Sequence, residues 1–331
     1  MTPRPATLLD VARAAGVSKS TASDALQGSG RVADGTRDRV REAAARLGYR
    51  PNSAARRLRR ASTGAVGLHL PRTATRLDYY MKLAFGAAAR AQEAGYDVVL
   101  LAPGTTDRIA SRVDGLLVID PELDDPAVPA LLAAGVPVVT GERYLGPASA
   151  PTGAVVIDNA ASLTALLDHV RERGARHPAL LAPADTSAWA AALRATAADW
   201  SRAHATPVAV RTVSFAATPD EAERATLALL LEAPSVDAVV CAPDGAAPGV
   251  VRAASALGRS VGDDLLVAAC VDGPTARATT PALTAVDLHP DAYGHACADL
   301  LCAVLTGHTP ADTVRTHAWT LEVRASTHGR G

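Results

Sequence analysis

Residues 17–26 read VSKSTASDAL, crowding four hydroxyls, one ammonium and one carboxylate into ten positions. On a helix, Ala22, Ala25 and Leu26 share one face and the polar groups point away from it. Hydroxyls and an ammonium donate hydrogen bonds to phosphate oxygens and base edges, and no histidine stands beside them to activate a nucleophile. The chemistry on offer is recognition of a polyanion. Asp24 runs against that sign. A carboxylate only accepts, and on a duplex its natural donor is the cytosine amino group. Two readings of Asp24 stand: it changes what is read, or it is a bystander held by Lys19.

The elements around this stretch are short helices. Leu8, Val11, Ala12 and Ala15 recur at helical spacing. Gly16 suits the left-handed stop of that helix, and Ser18 suits the N-cap of the next. A third helix is expected over TRDRVREAAARLG, with Val40, Ala44 and Leu47 inward and Gly48 ending it. Ala33 stands where a capping hydroxyl would serve this helix, a loss of about 1 kcal/mol unless Asp34 takes the role. Two helices joined by a tight Gly-containing turn inside a three-helix unit are a helix-turn-helix pattern.

Charge supports the same reading. The chain has 331 residues and a net charge of −1, from 33 basic and 34 acidic side chains. Residues 1–60 hold 13 basic and 5 acidic residues, a balance of +8, which leaves −9 for the remainder. A basic head on an acidic body fits nucleic-acid binding. The segment PNSAARRLRR then offers barely two helical turns. It is too short to be stable alone, and Arg56, Arg57, Arg59 and Arg60 repel one another until phosphates neutralise them.

The run TLLDVARAAGVSKSTASDALQGSGRVADGTRDRVREAAARLGYRPNSAARRL resembles the headpiece and hinge of the LacI-type (lactose repressor/GalR) family. The match covers about the first 60 residues without a gap, with GVS, GYRPN and the following A-x-x-L in order. The resemblance implies DNA contacts from Lys19, Ser20 and Asp24 to bases, and from Thr7, Ser18, Thr21, Ser23 and Gln27 mostly to phosphates. It adds Arg31 in the following loop, and Asn52, Ala55 and Leu58 in the hinge, with Leu58 wedged between base pairs in the minor groove. The family usually has arginine at the position of Asp24.

Beyond residue 60, apolar runs such as AVGLHL, GLLVID, PALLAP and DAVVCAP alternate with helical stretches, including residues 79–94, 160–173, 218–232, 245–257 and 291–306. Alternation of this kind means βαβ units and parallel sheets. The expected fold class is α/β with an all-α headpiece. The resemblance makes it a helix-turn-helix domain plus a periplasmic-binding-protein-like type I domain of two doubly wound parallel-sheet subdomains. The expected domains are a headpiece at 1–50, a hinge helix at 51–60 and an effector-binding and dimerisation domain at 61–331. Its N-subdomain is expected at about 61–159 and 291–318, and its C-subdomain at about 160–290 and 319–327.

Other function classes find little support. GSGRVA at residues 28–33 fits GxGxxA by letter but follows a helix, and there is no P-loop, GxSxG or HExxH. Cys241, Cys270, Cys297 and Cys302 lack CxxC spacing and read as buried thiols. No apolar run approaches a membrane span and no signal peptide opens the chain. No cofactor, metal or catalytic site is expected.

The resemblance places a ligand cleft between the subdomains. Matching positions nominate His69, Asp158, Arg194 and Asp244 as effector-binding residues, with a satisfied core histidine as the other reading of His69. Sugar-holding polar positions of the family are replaced by Pro71, Pro243, Val271 and Leu288. With Arg194 as an unopposed guanidinium, the expected effector is less hydroxylated than a sugar, or anionic; an empty cleft is the alternative. The whole reads as a cytoplasmic, homodimeric, sequence-specific DNA-binding transcriptional regulator, a ligand-responsive repressor that would bind a palindromic double-stranded operator under the control of an unknown small-molecule effector. A soluble ligand-binding protein with a vestigial headpiece is the alternative.

Overall fold

A computed structural model describes residues 6–27, 32–49, 62–102, 108–147 and 150–329. The chain divides into two compact units, Met1–Ser62 and Thr63–Gly331.

The first unit contains α1 (Leu8–Ala15), α2 (Lys19–Gln27) and α3 (Asp34–Arg46). Thr7 closes a capping box on α1: its hydroxyl oxygen accepts from Asp10 N–H, and the Asp10 carboxylate accepts from Thr7 N–H at 2.8 Å. Gly16 ends α1 in the left-handed region at φ 67°, where a β-carbon would be strained. Ser18 then accepts from Thr21 N–H at 3.0 Å and starts α2. Val11, Ala12, Ala22, Ala25, Val40, Ala43 and Ala44 form the core, and its many alanines allow the helices to approach closely. Leu47, expected inside, is 39% exposed; Val32 and Tyr49 cover that end of the core instead. Ala33 supplies no side-chain cap to α3, and Asp34 does not replace it, because its carboxylate accepts from Arg37 at 2.5 Å.

The second unit begins with β1 (Ala65–His69), α4 (Asp78–Glu93), β2 (Asp97–Leu100), β3 (Gly115–Ile119), α5 (Ala127–Leu132), β4 (Val138–Gly141) and β5 (Gly153–Ile157). It continues through α6 (Asn159–Glu172), β6 (Pro178–Ala182), α7 (Ala188–His204), β7 (Ala209–Thr212), α8 (Pro219–Glu232), β8 (Ala238–Cys241), α9 (Ala247–Ala256), β9 (Leu266–Ala269), α10 (Pro274–Ala278) and β10 (Thr284–Asp287). The last elements are α11 (Pro290–Leu305), β11 (Thr313–His317) and β12 (Thr320–Glu322). One sheet has the order β11-β5-β4-β3-β1-β2, the other β12-β10-β9-β8-β6-β7. All pairings are parallel except that of β12 with β10. The chain therefore passes between the two lobes three times: after β5, after β10 and after β11.

β1, β3 and β6 are buried along their whole length, as parallel strands covered on both faces must be. The edge strands β2, β7 and β11 are only partly covered. On the first lobe α4 and α11 cross where Gly86 meets the backbone of Asp291 and Gly294 meets that of Leu83; a methyl group at either glycine would overlap backbone. β10, β11 and β12 are not evident as apolar runs, because threonine, arginine, histidine and aspartate interrupt them.

The uncapped start of α3 yields a stability prediction. Ala33→Ser should stabilise the headpiece by about 1 kcal/mol. Amide exchange in α3 of the full chain should slow accordingly, and unchanged exchange would mean that water already satisfies the helix start.

Candidate functional site

On α2, Ser18, Lys19 and Ser20 are exposed, and Thr21, Ser23 and Asp24 are partly so, while Ala22 and Ala25 are fully buried. The helical period thus separates a core face from a polar face. The Ser18 hydroxyl is the hub of that face, 2.8 Å from both the Ser20 and the Thr21 hydroxyls. A hydroxyl has one donor and two acceptor positions, so the cluster can rotate its protons outward to a phosphate without losing the N-cap. Thr7 is committed to the capping box and also donates to Asp10 at 2.6 Å. The Gln27 side chain, Arg31, Asn52, Ala55 and Leu58 lie outside the described residues.

In the second unit, the carboxyl ends of the strands of both lobes border one cavity of about 40 Å³. Ligands in open parallel sheets collect at these ends. Asp120 follows β3, Glu142 follows β4 and Asp244 follows β8, and all three line the cavity. Asp120 and Glu142 adopt left-handed backbone at φ 43° and 70°, which costs roughly 1–3 kcal/mol per non-glycine residue. Ladder bonds hold both in place: Asp120 N–H donates to Gly141 O at 2.8 Å and Glu142 N–H to Val155 O at 2.9 Å.

Neutral donors hold each carboxylate. Tyr80 Oη donates to Asp120 at 2.7 Å, Ile157 N–H donates to Glu142 at 2.9 Å, and Tyr79 N–H reaches Asp244 at 3.4 Å. The Tyr79–Asp244 contact spans the two lobes, as does Leu123 N–H to Thr186 O at 2.7 Å. Burial pushes the Asp120 and Asp244 carboxyls up to about 6, and burial together with the Asp120 charge pushes Glu142 up to about 8. Rings close the walls: Tyr79 and Tyr80 meet edge to face at 5.1 Å, and Trp189 and Phe215 at 5.6 Å. Leu77, Ile157, Val271 and Leu288 complete the apolar lining, with Asn159 beside Glu142.

Of the four cleft residues expected from sequence, only Asp244 lines this cavity. Asp158 instead caps α6, accepting from Ala161 N–H at 2.9 Å, and it is the next residue, Asn159, that borders the cavity. His69 is buried against Asp125, with Nε2 3.0 Å from a carboxylate oxygen, the satisfied core histidine. Arg194 is not an unopposed guanidinium. It donates to Pro183 O and Thr212 Oγ1, each at 2.5 Å, and pairs with Asp185 at 3.2 Å. That correction removes the basis for expecting an anionic effector. Sequence reasoning missed Asp120, Glu142 and the aromatic rings. The available signal was a carboxylate just past an apolar strand, in GLLVID and VVTGE.

The raised carboxyls carry a pH dependence. The folded state keeps protons that the unfolded chain has already released, so stability falls as pH rises through the raised values. Between about pH 6.5 and 8.5, the melting temperature of the unliganded chain should decline more steeply than that of Glu142→Gln, with a gap of roughly 4 °C or more at the alkaline end. Parallel declines would mean that Glu142 is ionised throughout. On the headpiece, Asp24→Arg should change the preferred base at one half-site position, within the roughly 1–3 kcal/mol available per base. Selection from random duplexes would test this, and an unchanged consensus with uniformly tighter binding would make Asp24 a bystander.

Known proteins carry both units. The family model described as "Bacterial regulatory proteins, lacI family" matches residues 7–52, and that of a "Periplasmic binding protein-like domain" matches residues 167–327. The HTH-type transcriptional regulator CelR of Thermobifida fusca is 32% identical over 324 residues, covering 92% of this chain and 93% of that protein. The ribose operon repressor of Halalkalibacterium halodurans is 28% identical over 341 residues, covering 98% and 97%. Among solved structures, the CelR–cellobiose complex aligns with a TM-score of 0.72 at 28% identity, covering 97% of this chain and 99% of that one. The Lac repressor dimer bound to operator and the anti-inducer ONPF aligns at 0.79 and 25% identity, covering 98% and 99%. A helix-turn-helix unit joined to a two-lobed unit, matched along nearly the whole length, establishes that the chain belongs to the LacI family of bacterial transcriptional regulators.

Proposed function

We propose that this chain is a ligand-responsive repressor that binds a near-palindromic operator as a homodimer in the cytoplasm, acting by binding and without turnover. The observation that carries this reading is the intact helix-turn-helix core beneath a polar α2 face. A vestigial headpiece would have no reason to keep Val11, Ala22, Ala25 and Val40 fully buried. No helix among the described residues is long and apolar enough to cross a membrane.

The two-lobed unit supports a route for control. Ligand in the cavity would touch both lobes, because residues of both line its volume of about 40 Å³. Residues just before β1 are anchored to the first lobe: Asp114 accepts from Thr63 N–H at 2.7 Å and from Gly64 N–H at 2.8 Å. A ligand with different affinities for the two closures would bias whether paired hinges can form, and DNA would bias the closures reciprocally.

The salt dependence of operator binding tests the regulator reading. The balance of +8 over residues 1–60 predicts a log–log slope of magnitude about 5 or more. Leu58→Ala should weaken operator binding by about 2 kcal/mol or more while sparing non-specific binding. Binding that ignores salt, or none at low salt to any duplex, would overturn the proposal.

A further inference from the structure

The cleft carboxylates differ from two other carboxylates of this chain, Asp272 and Asp299, which are paired with arginine. Asp272 is buried with full compensation. Arg324 grips it through two hydrogen bonds at 2.8 and 2.9 Å, and Arg277 adds a contact at 2.6 Å. Its carboxyl is held below the ordinary value by those guanidiniums, despite burial. Asp299 is likewise shared by Arg90 and Arg315, each at 2.8 Å. At these two carboxylates the counter-charge is arginine, whereas the buried Asp125 is met by His69 at 3.0 Å and by Ala127 N–H at 2.9 Å.

Asp120, Glu142 and Asp244 receive no arginine. Among the described residues that line the cavity there is no lysine, arginine or histidine. The nearest cations acting on them, Lys82 toward Asp244 and Arg143 toward Glu142, are exposed and weaker in effect than burial. A buried carboxylate without a counter-charge is costly, which is why these carboxyls keep their protons to higher pH, and a cation placed beside them favours the ionised form. The lining therefore offers no cationic side chain, and its side-chain N–H donors are the neutral Asn159 amide and Trp189 indole. It also presents ring systems from both lobes, Tyr79 and Tyr80 on one and Trp189 and Phe215 on the other. Aromatic faces attract cations.

We propose that the effector of this cleft is a small organic cation, a protonated amine carried on an aromatic or short aliphatic body. The ammonium takes the place that arginine fills at Asp272: it donates to the carboxylates, and the body packs on the rings. An anion is repelled by the same carboxylates, and Arg194 is already spent on Pro183, Thr212 and Asp185. A neutral sugar hydrogen-bonds to the carboxyls through its hydroxyls but brings no charge that favours their ionised form. This inference rests on the cleft being the effector site of the proposed regulator.

The test uses the full chain and three kinds of probe: tyramine and 2-phenylethylamine; their uncharged counterparts tyrosol and 2-phenylethanol; and cellobiose and glucose 6-phosphate. Calorimetry reads affinity, and fluorescence anisotropy of a selected operator duplex reads DNA binding in the same preparation. The amines should bind at least about tenfold more tightly than the matched alcohols and change operator affinity. Asp244→Asn and Glu142→Gln should each reduce amine binding by about tenfold or more, with circular dichroism and melting verifying that both variants fold. Equal binding of amine and alcohol, tighter binding of either sugar, or no binding of any amine would overturn the proposal. Those results with operator binding intact would defeat only the ligand class; absence of operator binding would defeat the regulator reading instead.

Discussion

Parallel strand direction is the constraint on which the two-lobed unit depends. Every parallel strand ends at the same edge of its sheet, so the loops that follow β3, β4 and β8 gather along one cavity. Residues from distant parts of the sequence meet there because the chain passes between the lobes after β5, after β10 and after β11. Close packing supports that arrangement. Gly86 and Gly294 let α4 and α11 approach until backbone meets backbone, tying the returning segment to the first lobe.

The cavity brings unfavourable terms together. Asp120 and Glu142 hold left-handed backbone, and their side chains are buried near one another without arginine. Glu142, only 6% exposed, is the extreme case, with its carboxyl pushed up to about 8. Strain and uncompensated polarity of this sort persist where surrounding structure enforces them, and such places are commonly functional. Here the enforcing structure is the continued ladder from β3 through β4 to β5. The contrast with Asp272, neutralised by two guanidiniums, shows that the chain compensates buried charge elsewhere.

The headpiece solves a different problem, which is to expose polar groups while keeping three short helices together. Its core is mostly alanine and valine, so little apolar area is buried, and local devices matter more in consequence. The capping box at Thr7 starts α1, and the left-handed Gly16 and the Ser18 cap define the two helix ends at the turn. The same Ser18 hydroxyl then organises the polar face of α2. A group that stabilises the turn is therefore part of the recognition surface.

Local patterns in the sequence determined the headpiece helices, the parallel α/β character of the remainder and the charge asymmetry between them. Those properties depend on spacing along the chain: helical periodicity over Leu8–Ala15, caps at Gly16 and Ser18, and apolar runs such as GLLVI. The composition of the cleft was decided only by tertiary structure. Arg194 looked like a ligand anchor until its neighbours Pro183, Asp185 and Thr212 were seen to occupy it. His69 looked available until Asp125, 56 residues away, was seen against its ring. Asp120 and Glu142 each follow an apolar strand, a position that marks them as candidates but does not show that they are buried together; Asp244 alone was nominated from the sequence. Their shared burial, and the lack of a cation among the described residues around them, arise from two sheets facing each other across the cavity. Electrostatic environment is a property of neighbours in space, and here those neighbours lie up to 165 residues apart, as Tyr79 and Asp244 do.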